Sequence, residues 1–142
     1  MRIVLAPDKF KGSLSAQEVC DAMRSGILRV DPHIKIDACP MSDGGEGFVS
    51  ALVNATGGRF ITRRVTGPLP EMKVDATFGL LENEPRTVVV EMSAASSLSQ
   101  LRPDQRDPLA TTTFGTGELI RIAISEFGAK KILLGIDRKS VV

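Results

Sequence analysis

Twice within the first sixty residues, an apolar, strand-like run ends in a short polar loop that passes straight into a helix-like pattern. The first run, residues 2–6, is closed by Pro7 and followed by Asp8-Lys9-Phe10-Lys11-Gly12-Ser13. In the second, Ile34, Ile36 and Ala38 alternate with Lys35 and Asp37; it stops at Pro40 and leads into Ser42-Asp43-Gly44-Gly45-Glu46-Gly47. A β-α-β-α order of this kind confines the chain to α/β architecture, with parallel strands, a right-handed crossover and both loops on the carboxyl edge of the sheet. Helix N-termini on that edge expose unpaired N–H groups. Two glycine-rich, carboxylate-bearing loops there, one also carrying lysines, point to an anionic, phosphorylated class of ligand.

The helices can be placed from local signals. Ser15-Ala16-Gln17-Glu18 has the spacing of a capping box, the stripe Val19, Ala22, Met23, Ile27 and Val30 has helical period, and Asp31-Pro32 ends the helix. Phe48, Val49, Leu52, Val53 and Ala55 supply a second buried stripe, and Gly57-Gly58 a left-handed stop. The rhythm then changes. Runs over residues 60–66, 72–81 and 86–92 are separated by Gly67-Pro68 and Asn83-Glu84-Pro85 with no helix between them, which predicts an antiparallel meander and a second unit. After a Ser/Ala-rich stretch, a helix is expected over residues 116–127, stopped by Gly128, and a last strand over 131–136.

Composition narrows the function. A chain of 142 residues, 42% hydrophobic, can bury about two thirds of its unfolded surface as one domain. Eighteen basic and seventeen acidic residues leave a net charge of +1. That field is too weak to attract nucleic acid or an anionic membrane, so any anion binding is local. The lack of Trp and Tyr argues against a base-stacking surface. The five-residue apolar run at the N-terminus is too short for a signal peptide or a membrane span, so a cytoplasmic protein is expected. Cys20 and Cys39 have no partner at metal-ligand spacing and are expected as buried thiols. His33, beside Pro32, sits at a turn, and no Ser-His or Cys-His pair can be drawn.

Each candidate loop has a structural alternative. In the first, Lys9 and Lys11 can neutralise phosphate oxygens, Ser13 can donate a hydrogen bond, and Asp8 can hold Mg²⁺ or accept a proton; otherwise it is a solvated turn. In the second, Gly44, Gly45 and Gly47 let the backbone approach a ligand while Asp43 and Glu46 are candidate metal ligands. Asp43 and Glu46 also have the spacing of a capping box, which would stabilise a helix with nothing bound. The third loop, with Thr113, Gly115 and Thr116, offers hydroxyls and N–H groups to an anion, although Thr116 can equally serve as a cap. Glu91 follows a buried strand and is either a ligand or a carboxylate satisfied by N–H groups of the turn after it. No Gly-x-x-x-x-Gly-Lys-[Ser/Thr] occurs, which disfavours a P-loop nucleotidase, and no complete dinucleotide fingerprint supports a dehydrogenase.

Taken in order, five segments resemble the bacterial type I glycerate kinases. They are Ala6-Pro7-Asp8-Lys9-Phe10-Lys11-Gly12-Ser13-Leu14-Ser15-Ala16, Ser42-Asp43-Gly44-Gly45-Glu46-Gly47, Val65-Thr66-Gly67-Pro68-Leu69, Glu91-Met92-Ser93-Ala94-Ala95-Ser96 and Thr112-Thr113-Phe114-Gly115-Thr116-Gly117-Glu118-Leu119-Ile120. The likeness runs to about Ile136. It implies transfer of a phosphoryl group from ATP, with Mg²⁺, to a hydroxyl of D-glycerate, the 2-hydroxyl in most bacterial members. It also implies a flavodoxin-like domain interrupted by an inserted second α/β domain, here residues 1–62 and 63–136, with 137–142 as a tail outside the family pattern. Asp8, Lys11 and Asp43 are the catalytic candidates. Lys9, Ser13, Gly44, Gly45, Glu46, Thr113, Gly115 and Thr116 are the substrate or phosphate contacts, and Asp43 and Glu46 the metal ligands.

Two departures stand out. Lys9 replaces the serine more usual in the family's first loop. After Ile136 the family's Gly-Gly-Ser-Ala-Thr-Asn-Asp-Gly-Gly gives way to Asp137-Arg138-Lys139-Ser140-Val141-Val142, so an N-terminal, truncated piece is expected. A piece lacking one wall of its cleft would leave water in the site and lose most of its rate. A catalytically inactive fragment or a non-catalytic anion-binding module is therefore the competing expectation.

Overall fold

The structure is a computed structural model that describes residues 1–10 and 13–137. Lys11 and the residues from Arg138 onward, on which part of the expected site and the tail fall, lie outside the described residues. The element order is β1 (Arg2–Leu5), α1 (Ala16–Val30), β2 (Lys35–Ala38), α2 (Phe48–Thr56), β3 (Arg59–Thr66), β4 (Lys73–Leu80), β5 (Thr87–Glu91), α3 (Met92–Ser96), α4 (Phe114–Ser125) and β6 (Lys131–Gly135). This is α/β architecture. The chain divides into two compact units, Met1–Asp43 and Gly44–Val142.

In the first unit, β1 and β2 pair in parallel, Arg2 opposite Lys35 and Leu5 opposite Ala38. The pairing continues past both strands, with Cys39 N–H donating to the Leu5 carbonyl at 2.7 Å and Met41 N–H to the Pro7 carbonyl at 2.9 Å. α1 begins at the expected capping box: the Ser15 hydroxyl accepts from Glu18 N–H at 3.2 Å, and the Glu18 carboxylate accepts from Ser15 N–H at 2.7 Å. Its apolar stripe is less buried than its spacing predicts. Val19 and Cys20 are buried, but Met23 is exposed and Val30 is 87% exposed. Two strands about 4.8 Å apart make too narrow a platform to cover a helix of four turns. Cys39 is exposed rather than buried, since it stands just past the end of β2.

The second unit is built on the sheet β3-β4-β5-β6. The expected meander is present, with β3, β4 and β5 antiparallel, and β6 then joins β5 in parallel. Every residue of β5 is buried. Alternation along it assigns Val88 and Val90 to one face and Val89 to the other. On the first face they join Val65, Ala76, Phe78, Leu80, Leu119, Ile122 and Ala123, so α4 covers that side. On the second, Val89 and Leu81 pack with Val49 and Val53 of α2. α4 starts at Phe114, two residues before the expected start. This brings Gly115 so close to β3 that a Cβ there would lie 1.7 Å from the Thr66 carbonyl oxygen. Only glycine fits that contact.

The core assignment has a direct consequence. Phe78, fully buried and edge-on to Phe127 with ring centroids 5.5 Å apart, should lose about 3–5 kcal/mol of stability on Phe78→Ala. Leu109→Ala, at a side chain 96% exposed, should stay within about 0.5 kcal/mol. Urea denaturation of the two variants checks this, and equal losses would contradict the packing.

Candidate active site

In the first unit, the loops that follow β1 and β2 leave the same edge of a parallel pair and meet there. Lys9 Nζ lies 3.6 Å from Asp43 Oδ1; the lysine side chain is 15% exposed and the carboxylate 58%. The long lysine stem is thus mostly covered while its charge is delivered to the rim. Asp8 is exposed and turns back on its own loop, its Oδ1 accepting from Lys9 N–H at 2.7 Å. Ser13 is exposed in a turn closed by its N–H on the Phe10 carbonyl at 2.9 Å. Next to Asp43, the buried hydroxyl oxygen of Ser42 has no hydrogen-bond partner. Burying such a group unpaired costs about 1–3 kcal/mol, which marks it as a group with an unused bond.

In the second unit, residues 44–47 precede α2, and the helix is not capped as its sequence suggested. The Asp43/Glu46 box does not form. α2 begins only at Phe48, its N-cap is Gly47 with φ 96°, and no side chain at that position bonds to the helix. Glycine is needed there because other residues are strained at that angle. The cap comes instead from Glu91, whose Oε1 accepts from Gly47 N–H at 3.1 Å and from Val49 N–H at 2.6 Å. The Ser93 hydroxyl donates to Oε2 at 3.4 Å. Of the two expectations for Glu91, satisfaction by the N–H groups of its own following turn is therefore replaced by satisfaction from a segment more than forty residues earlier. Sequence offered no signal for that choice, because the pairing exists only once β5 and α2 are packed.

Gly45 is buried and Glu46 exposed. The Asp137 carboxylate stands beside Gly45, 3.0 Å from where a Cβ would be. The third loop is committed more to packing than its sequence suggested. The Thr116 hydroxyl is buried and pairs with Ser96 Oγ at 3.0 Å, and Gly115 is pressed on β3. Thr113 is half-buried at the N-cap of α4 without a side-chain cap bond. Two residues on, Glu118 ties α4 to the sheet by accepting from Thr66 N–H at 2.6 Å, while Lys73 Nζ donates to Thr66 Oγ1 at 2.8 Å. Among the described residues, no group of three His, Cys, Asp or Glu side chains gathers closely enough to hold a metal ion. No described helix is long and apolar enough to cross a membrane.

These loops lie within a segment, residues 3–138, that matches the family described as the glycerate kinase family. The chain belongs to that family. It is 49% identical over 136 residues to a glycerate kinase of Bacillus subtilis, 47% to one of Haemophilus influenzae and 46% to a glycerate 2-kinase of Escherichia coli. Each of these alignments covers 96% of this chain and 35% of the relative. A crystal structure of a candidate glycerate kinase 2 from Salmonella typhimurium LT2 superposes with a TM-score of 0.82 at 48% identity, covering 99% of this chain and 37% of that one. The chain thus spans about a third of the length of these glycerate kinases and corresponds to their N-terminal part.

The two carboxylates that join helix to sheet titrate in opposite directions. Burial pushes Glu91 above its ordinary value of 4.5; the N–H bonds from Val49 and Gly47 and the Ser93 hydroxyl oppose this, and the charge of Glu46 reinforces it. The Thr66 N–H holds Glu118 below 4.5, against its own burial and with smaller help from the Thr66 side chain, Lys73 and Arg121. Relative to Glu91→Gln, the native chain should gain stability as pH falls through the raised folded value towards 4.5, and lose that gain as pH rises. Relative to Glu118→Gln, its advantage should be present above 4.5 and disappear as pH falls through the depressed folded value. Urea titrations from about pH 2.5 to pH 8 check both signs.

Proposed function

We propose that this chain is the N-terminal part of an enzyme that phosphorylates D-glycerate with ATP, with the loops after β1 and β2 among its substrate contacts. The observation that carries the proposal is the Lys9–Asp43 pair at 3.6 Å on the carboxyl edge of a parallel strand pair, in a chain whose relatives are named glycerate kinases. Phosphoryl transfer asks little covalent chemistry of the protein; it asks for positioning and for positive charge near the phosphates. Lys9, with Lys11 beside it in sequence, supplies that charge. In this reading Asp43, paired with Lys9 and next in sequence to the unpartnered Ser42 hydroxyl, orients the acceptor hydroxyl. Asp8, Ser13, Gly44, Gly45 and Glu46 are further contacts in this reading, and so is Thr113, whose side chain makes no cap bond to α4.

Mg²⁺ belongs to this proposal through the family alone. Asp43 and Glu46 remain its candidate ligands, but the described carboxylates do not gather into a three-ligand set. No step is therefore assigned to the metal. The division into a flavodoxin-like domain, residues 1–62, and the start of an inserted domain, residues 63–136, is carried in the same way, beside compact units that divide between Asp43 and Gly44. A cytoplasmic location and phosphorylation at the 2-hydroxyl complete the proposal.

A chimera tests it. Residues 1–136 of this chain, placed in the Escherichia coli glycerate 2-kinase in exchange for the matching segment, should give D-glycerate-dependent ADP formation. Asp43→Asn should lower kcat by about a hundredfold. A folded chimera with no glycerate-dependent turnover would overturn the proposal and favour the non-catalytic module. The 142-residue chain assayed alone should show at most a small fraction of the chimera's rate, because a site open to water loses electrostatic stabilisation.

A further inference from the structure

We propose that Glu91 is a positioning residue: its carboxylate fills the N-terminus of α2 and fixes the ligand loop 44–47, closing the first amides of that helix to the substrate's anion. This rests on the reading above, in which that loop touches substrate.

The first turn of α2 has no acidic residue and its N-cap has no side chain, so no local side chain accepts from its leading N–H groups; Phe48 N–H donates to the Gly45 carbonyl at 3.0 Å, and Gly47 and Val49 look further away. Glu91 supplies their acceptor from the end of β5, and a single oxygen, Oε1, takes both Gly47 N–H and Val49 N–H. The support is rigid. Val88, Val89 and Val90 directly before it are fully buried, and Glu91 itself, 9% exposed, stands in register with Gly135 of β6. The same Gly135 also lies against the loop, where a Cβ would come 2.2 Å from the Gly44 carbonyl oxygen. The ends of β5 and β6 together clamp the chain from Gly44 to Val49.

The choice of a carboxylate has a chemical consequence. A neutral acceptor would satisfy the same two N–H groups without burying a charge. A carboxylate also cancels the positive end of the helix and repels any second anion brought to it. α2 is therefore not the phosphate-binding helix that its position after a glycine-rich loop suggests. The substrate's charge is left to groups upstream of Gly47.

Amide NMR of the 142-residue chain tests the occupancy. Formate or inorganic phosphate added to the native chain should leave the Gly47 and Val49 amides in place. In Glu91→Ala, formate should shift both amides back towards their native positions, and Glu91→Gln should keep them there without it. Formate shifting Gly47 and Val49 equally in the native chain would overturn the proposal.

The active chimera tests positioning. Glu91→Ala should lower kcat about tenfold or more with partial rescue by formate, and Glu91→Gln should retain most of the rate. A purely structural role would lower the melting temperature while leaving kcat unchanged, and that result would overturn the proposal. Should Glu91→Ala fail to fold, Glu91→Asp, which keeps the charge but shortens the reach, is expected to show the same kcat loss. If the parent chimera has no glycerate turnover, the reading of function fails, and the amide titrations still decide the occupancy of α2 by Glu91.

Discussion

The interaction on which the second unit depends is the burial of β5 on both faces. Val88 and Val90 are covered by the β3, β4 and α4 side chains, Val89 by α2, and none of the three retains any exposed surface. Each such side chain contributes about 1.5–3 kcal/mol when removed from water, and all three sit on one short strand. Both helical layers are therefore located relative to the same backbone. The strand's last residue inherits that rigidity, which is why a charged side chain there can act as a fixed acceptor for a helix more than forty residues away in sequence.

Two carboxylates convert this packing into loop geometry. Glu91 secures the start of α2 and hence the glycine loop before it; Glu118 secures the start of α4 against the end of β3. The two bonds differ in electrostatic character. Burial raises Glu91 against the pull of its N–H partners, whereas Glu118 is stabilised as a carboxylate by its N–H partner. In the first unit the comparable contact is the Lys9–Asp43 pair, which is only partly covered and depends on the parallel register of β1 and β2.

Local chemistry was legible wherever it involved neighbours in the chain. The capping box of Ser15 and Glu18, the stop at Asp31 and the meander joined through Gly67-Pro68 all follow from short-range rules. Errors arose where a long-range partner outcompeted a local one. Asp43 and Glu46 had the spacing of a cap, yet Glu91 takes that position because it is already fixed by β5, whereas a loop side chain would have to be ordered to do the same. α4 starts early, at Phe114, because Gly115 and the buried Thr116 dock on β3 and α3.

The sequence alone determined the α/β class, the family and the candidate residues, since these rest on residue type and order: apolar period, glycine loops and five motifs in succession. Tertiary structure alone decided which carboxylate caps which helix, which hydroxyls are spent on packing and how much of α1 is covered. Those outcomes depend on distances between segments far apart in the chain, and a side chain's partner is chosen by which acceptor is already held rigid nearby.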